Sequence, residues 1–94
     1  MRDFKFKVIV PNDHAPVQIV QMHDGDQPMF DTIRVNFALA KLGLEEDPFF
    51  IVDPITRKPV PRGDYSMIAG YDNQLHVRFR TLGHANQFKN LMGI

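Results

Sequence analysis

The sequence predicts an α+β fold in which one main helix packs on a mixed sheet of four to five strands. Three observations lead to this prediction. Segments near both ends of the chain alternate apolar and polar side chains, which is typical of strands with one buried face. A central segment repeats apolar residues at helical spacing. Eight Phe among 94 residues supply large side chains for the core of a single domain.

The first half of the chain predicts two strands and the helix. Residues 4–10 (FKFKVIV) place an apolar side chain at every second position and end at the turn-forming stretch PNDHAP. Residues 17–22 (VQIVQM) predict a second strand, which forms a hairpin with the first. After the acidic loop HDGDQP, residues 29–43 (MFDTIRVNFALAKLG) predict a helix of about three turns, with Ile33 and Phe37 facing the core.

The second half predicts two more strands and an irregular connection. The stretch PFFIVD is typical of a short buried strand beginning at Phe49. Residues 55–74 contain two prolines and two glycines, so that only short pieces around Val60 and at 65–68 are expected to be ordered. Residues 75–80 (LHVRFR) predict the last strand of the sheet.

This order of elements is the β-grasp, or ubiquitin-like, plan. In that plan the first and last strands run parallel at the centre of the sheet and the helix covers one face. The predicted ubiquitin-like domain spans residues 1–81. Residues 82–94 are predicted to be a C-terminal tail or short amphipathic helix that leads to a following domain. The inward residues are Phe4, Phe6, Val8, Val10, Leu75, Val77 and Phe79, packed on Ile33 and Phe37.

The alternation that buries these apolar residues places basic side chains together on the opposite face of the sheet. This cationic face comprises Lys5, Lys7, His76, Arg78 and Arg80, extended by Arg57, Lys58 and Arg62 from the irregular connection. Two interpretations stay open from the sequence. The basic residues are either a solvated face that also guards the strands against edge pairing, or a surface that receives an acidic partner.

Composition argues against several classes of function. Eleven basic and eleven acidic residues give a net charge of zero, so no overall field attracts nucleic acid, which is not an expected partner. Without cysteine there are no disulfides or thiolate metal sites, which fits the cytoplasm. The histidines lack metal-ligand spacing and Ser66 lies in no catalytic motif, so neither a metal, a cofactor nor an enzyme is predicted. Charges interrupt the apolar N-terminus, which excludes a signal peptide or membrane span there.

Two runs of the sequence, TIRVNFALAKLGLEEDPFFIVD and VPRGDYSMIAGYDNQLHVRFR, resemble the helix, third strand and closing strand of Ras-association and Ras-binding domains. With KVIVPNDHAPVQIVQM before them, the chain is similar to the GTPase-binding domain of amoebal formins and to the corresponding domain of engulfment and motility adaptors. The resemblance covers residues 4–80. It implies a non-catalytic regulatory domain of a cytoskeletal, formin-type actin regulator that binds a small GTPase.

The resemblance also implies which residues bind. Family members join their sheet to the GTPase's sheet through the second strand, here at Gln18, Val20 and Met22. Their basic residues are matched by Lys5 and Lys7, with Arg34 or Lys41 on the helix.

Two partners therefore remain open: a small GTPase of the Rho, Rac or Ras type, or anionic phospholipid at a membrane surface. The lipid alternative is favoured by the second strand, VQIVQM, which carries no Lys or Arg. The isolated domain is expected to be monomeric and cytoplasmic, with recruitment to the membrane or cell cortex. A purely structural domain that docks on its neighbours is the third alternative.

Overall fold

The computed structural model describes residues 4–47, 55–57 and 63–94. Within them the protein is mixed α+β, which confirms the predicted class. The elements are β1 (Phe6–Val10), β2 (Val17–Met22), β3 (Gly25–Phe30), α1 (Ile33–Lys41), β4 (Tyr65–Ala69), β5 (Leu75–Phe79) and α2 (Leu82–Met92). The strands form a three-stranded antiparallel sheet in the order β1-β5-β4 and a separate two-stranded sheet of β2 and β3.

The first and last strands are neighbours, as the sequence predicts, but they run antiparallel rather than parallel. Phe6 lies opposite Phe79, and Val10 lies opposite Leu75. The direction of a strand depends on how many times the chain reverses before it. The prediction omits β3, and with it one reversal, so the predicted direction of the last strand is wrong. The β-grasp arrangement is therefore not confirmed, and β5 rather than β1 has neighbours on both sides among the described residues.

The hairpin predicted between the first two strands is wrong, because β2 pairs with β3. The sequence predicts an acidic loop at residues 23–28 that leads directly into the helix, and it predicts no strand here. Proline is unusual within a strand. The Asp31 N–H donates to the Pro16 carbonyl at 2.8 Å, which makes this a hydrogen-bonded pair of the ladder. By alternation, Ile19 and Pro28 form a non-hydrogen-bonded pair, so the Pro28 nitrogen faces away from β2.

Helix α1 is shorter than predicted and turns a different face to the core. Val35, Ala38 and Leu39 are buried, whereas Ile33 and Phe37 are 75% and 70% exposed. The prediction that Ile33 and Phe37 pack on the sheet is therefore wrong. Apolar residues recur at helical spacing on both sides of this helix, so their period does not decide which side is buried.

The predicted inward side of the sheet is confirmed on β1 and β5. Phe4, Val8, Val10, Leu75, Val77 and Phe79 are buried, and Phe6 is half-buried. All of them except Phe4 pack with both helices in one core, whose buried residues are Val8, Val10, Ala15, Val35, Ala38, Leu39, Tyr65, Leu75, Val77, Phe79, Ala85, Phe88 and Met92. The predicted strand at Phe49 and the piece around Val60 lie outside the described residues, and the piece at 65–68 is part of β4.

Helix α2 is the short amphipathic helix that the sequence predicts. Ala85, Phe88 and Met92 are its buried residues, and the ring centroid of Phe88 lies 5.2 Å from that of Phe79. Its first turn is capped by the Thr81 side chain, which accepts a hydrogen bond from a backbone N–H. The α2 helix therefore shares its core with the sheet, and a following domain stays a prediction.

Candidate functional site

The face of the three-stranded sheet that points away from the helices, called here the outer sheet face, carries two rows of side chains in register. These rows are Lys7, Arg78 and Ser66, and Ile9, His76 and Ile68. Three of the predicted cationic residues, Lys7, His76 and Arg78, thus lie on adjacent strands as expected. Lys5 is exposed just before β1. Ile9 and Ile68 are exposed on either side of His76.

Lys7 and Arg78 occupy directly opposite positions, and the hydrogen-bond pattern of the sheet makes theirs the closer of the two kinds of antiparallel pair. Arg80 N–H donates to the Asp64 carbonyl at 3.2 Å, so even-numbered residues of β5 bond to β4. Odd-numbered residues of β5 therefore bond to β1, and Lys7 and Arg78 form a non-hydrogen-bonded pair. Opposite side chains lie nearest in such pairs, and like charges there are destabilising. Among the described residues, no carboxylate forms an ion pair with either side chain.

His76 is held by the turn between β4 and β5. Its Nε2 lies 3.1 Å from Asp72 Oδ1, and the same carboxylate oxygen accepts a hydrogen bond from the Gln74 N–H at 3.1 Å. Desolvation pushes the pKa of Asp72 upward, but the hydrogen bonds from Gln74 and His76 outweigh it, so the pKa lies below its ordinary value. His76 thus contributes less to the cationic character of the face than its position predicts.

Arg80 joins the strand to the loop that precedes β4. Its Nε donates to the Gly63 carbonyl at 3.0 Å, and a second guanidinium nitrogen donates to the same oxygen. The guanidinium carbon lies 4.7 Å from the centroid of the Phe4 ring. A Cβ at Gly63 would overlap the backbone of Asp47 and Glu46, so this close approach requires glycine. Arg80 is therefore placed to support the fold as well as the outer sheet face.

Of the predicted extension of the cationic face, Arg57 lies among the described residues. Arg57 is exposed and has a φ of +62°, an uncommon conformation for a side chain of this size. Lys58 and Arg62 lie outside the described residues. The contribution of these three residues to a binding surface therefore stays a prediction.

The sequence did not reveal that β1 lies at an edge of the sheet formed by the described strands. Because even-numbered residues of β1 bond to β5, the backbone N–H and C=O groups of Lys7 and Ile9 point to the other side. No strand pairs with that side among the described residues. A shallow groove of about 260 Å³ runs along it, lined by Lys7, Ile9, Lys89 and Ile94 together with Val8. The open edge of β1 thus lies between two lysines, Lys7 and Lys89.

The strand-addition edge predicted on β2 is a strand edge, but its open backbone groups belong to other residues. Gln18, Val20 and Met22 lie opposite β3 residues in hydrogen-bonded pairs, so their backbones face β3. The open side of β2 carries the backbone groups of Val17 and Ile19 instead. The side chains of these three predicted residues lie on one face of the hairpin.

Two further groups among the described residues have shifted pKa values. His14 Nδ1 lies 2.9 Å from Asp13 Oδ1, and this hydrogen bond lowers the pKa of Asp13. Burial, together with the Glu46 carboxylate, raises the pKa of Tyr65. No group of three or more potential metal ligands occurs among these residues. None of the described helices is long and apolar enough to span a bilayer.

Comparison with known proteins finds no match for this chain among protein-family models, curated proteins or solved structures. The resemblance to Ras-binding domains and formins therefore stays a prediction.

The Asp72–His76 pair makes a prediction about acid stability. Because the pKa of Asp72 is lowered in the folded protein, its ionised form favours folding above the ordinary value of 3.8, and this contribution is lost as the pH falls through the folded value. We expect the melting temperature of Asp72→Asn to fall less than that of the unmodified protein when the pH is lowered from about 6 to about 2. Circular dichroism melts would measure this, with Asp26→Asn on the exposed hairpin as the control. Equal pH dependence in all three proteins would contradict the prediction.

Proposed function

We propose that the chain is a non-catalytic interaction domain that binds an acidic protein surface, that of a small GTPase of the Rho, Rac or Ras type. The observation that carries this proposal is the Lys7–Arg78 pair. Two cations are held side by side without a carboxylate partner among the described residues, at a cost to stability. An acidic partner would remove this repulsion and gain two ion pairs.

The open edge of β1 supports the same proposal. An extended segment of the partner could add to β1 through the backbone groups of Lys7 and Ile9. Acidic side chains on the two faces of that segment would then lie near Lys7 and Lys89, which flank the edge. The proposed binding does not depend on a β-grasp fold or on strand addition at the second strand.

The cellular setting is proposed from the sequence resemblance. A formin-type regulator of actin works in the cytoplasm and is recruited to the cell cortex, where small GTPases are displayed on the membrane. Binding of the GTPase by this domain would place the host protein there, without any reaction catalysed by the domain itself.

Anionic phospholipid is a second candidate partner, because of one observation. The exposed apolar side chains Ile9 and Ile68 lie on the same face as Lys7 and Arg78. A face that combines apolar and basic side chains can bind a bilayer by inserting the former between the head groups that attract the latter.

Charge reversal at Lys7 and Arg78 tests the proposal. We expect Lys7→Glu with Arg78→Glu to weaken binding to the GTP-analogue form of the GTPase at least tenfold, about 1.4 kcal/mol, because two attractions become repulsions. Calorimetric titration against Rho, Rac and Ras proteins in both nucleotide states would measure it. Asn86→Glu with Gln87→Glu, which adds negative charge at two exposed positions of α2, is the control and should bind normally.

The outcomes separate the two candidates. Binding that depends on nucleotide state and on the sheet residues supports the GTPase. Binding only to phosphatidylserine vesicles, decreasing with salt, supports the lipid. Failure of the folded domain to bind any of these probes, or loss of binding in the control variant alone, would overturn the proposal.

A further inference from the structure

A groove between the two helices is lined by apolar side chains that have no cover in the described structure. It has a volume of about 440 Å³ and is lined by Ile33, Phe37, Ala38, Leu91 and Met92, with Arg34 and Lys41. Ile33, Phe37 and Leu91 are all exposed, the first two by more than two-thirds of their surface. Large exposed apolar side chains grouped in a concave surface are typical of a contact site.

Two basic side chains, Arg34 and Lys41, line the groove. Arg34, Phe37 and Lys41 follow at spacings of three and four residues, so they share one face of α1. Neither helix contains an Asp or Glu. The Arg34 guanidinium is partly fixed by a 3.4 Å hydrogen bond to the backbone carbonyl of Asp13, which leaves the other N–H groups of its fork for an acceptor.

The hairpin of β2 and β3 carries acidic and exposed apolar side chains, which complement the basic and apolar side chains of the groove. Its turn and the start of β3 carry Asp24 and Asp26, and the whole hairpin contains no Lys or Arg. Ile19, Met22 and Met29 are each about half exposed. Apart from the half-buried Phe30, no described hairpin residue belongs to or packs against the core. The hairpin is thus an acidic, apolar projection.

We infer that the groove receives the hairpin of a second copy of the same chain. The methionines are flexible enough to fill an irregular apolar groove. Asp24 and Asp26 would meet the cations Arg34 and Lys41 at its border. A net charge of zero removes the overall repulsion that would otherwise oppose association. This departs from the monomer that the sequence predicts, in which Ile33 and Phe37 are buried in the core.

The inference is independent of the proposed function. The groove lies in the helical layer, whereas Lys7 and Arg78 lie on the outer sheet face. If each copy inserts its hairpin into the other, every groove and every hairpin is used once, and association closes at a dimer. The outer sheet faces of both copies then stay accessible to a partner.

Reversing the charge of either the groove or the hairpin tests this contact. One variant, Arg34→Glu with Lys41→Glu, has an acidic groove and an acidic hairpin. Another, Asp24→Lys with Asp26→Lys, has a basic groove and a basic hairpin. We expect the unmodified chain to dimerise between about 10 μM and 1 mM and each variant alone to dimerise at least tenfold more weakly. An equimolar mixture of the variants should restore the dimer, since each groove again meets a hairpin of opposite charge.

Sedimentation equilibrium would measure the dissociation constants, with circular dichroism to confirm folding. All four positions are exposed, so the substitutions should not affect the fold. Lys7→Glu with Arg78→Glu serves as the control that should dimerise normally. A monomer throughout this range, or a mixture of variants that stays as monomeric as its components, would overturn the inference. Loss of GTPase binding without loss of dimerisation would instead concern the proposed function alone.

Discussion

Phe88→Ala is expected to lower the free energy of unfolding by about 3–5 kcal/mol, the range for removing a fully buried phenylalanine. Phe88 is fully buried and packs against Phe79 between α2 and the central strand β5. The substitution leaves a cavity at the point where these two elements meet. Because small domains are stable by only about 5–15 kcal/mol, much of the variant should be unfolded at modest denaturant concentration. Urea titration followed by circular dichroism would measure the loss.

Leu82→Ala in the first turn of the same helix is the matched control. Leu82 is exposed, so we expect a change within about 0.5 kcal/mol. A similar loss at both positions would mean that the stability of α2 depends on helix formation rather than on packing. A negligible loss at Phe88 would show that α2 is not part of the core, and would favour the tail that the sequence allows after residue 81.

Leu39→Ala is expected to have the next largest effect, with a loss of about 2–5 kcal/mol. Leu39 is almost completely inaccessible to solvent on the buried side of α1. Phe37→Ala removes a larger side chain from the same helix, yet it should change stability by less than about 1 kcal/mol, because Phe37 is 70% exposed. Both should be measured in dilute protein, so that self-association does not contribute.

The comparison of these two variants distinguishes the observed helix orientation from the one that the sequence predicts. A large loss at Phe37 with a small loss at Leu39 would restore the predicted orientation. It would also remove the apolar groove, because Ile33 and Phe37 would then be buried.

Strand alternation made the buried side of the sheet predictable. On β5, Leu75, Val77 and Phe79 are buried and the residues between them are basic, so only one assignment of faces avoids burying charge. The α1 helix offers no such contrast. Ile33 and Phe37 lie on one side, Val35 and Leu39 on another, and the choice between them depends on how α2 packs, which the sequence of α1 does not contain.

One signal for the hairpin was present in the sequence. Asp24-Gly25 lies between apolar alternating residues, and this dipeptide is frequent in tight hairpins. Gly25 has a φ of +108°, which suits glycine. Pro28, four residues after Asp24, is an unfavourable residue within a strand. It is tolerated in β3 because its nitrogen faces away from β2.

The candidate site was predictable in part. The adjacency of Lys7 and Arg78 follows from alternation once the first and last strands are taken as neighbours. The contacts of His76 with Asp72 and of Arg80 with Gly63 depend on the geometry of two turns, which residue patterns do not specify. The position of β1 at the edge of the described sheet depends on strand order, and therefore on long-range contacts.

Pro28 also determines how the hairpin behaves when many copies meet. A strand that approached β3 from outside would encounter the pyrrolidine ring where it needs a donor, whereas one that approached β2 would find the amides of Val17 and Ile19. Growth of an amyloid-like ribbon requires both sides of each unit to be receptive. The ring of one residue therefore protects a methionine-rich, exposed hairpin from templated aggregation.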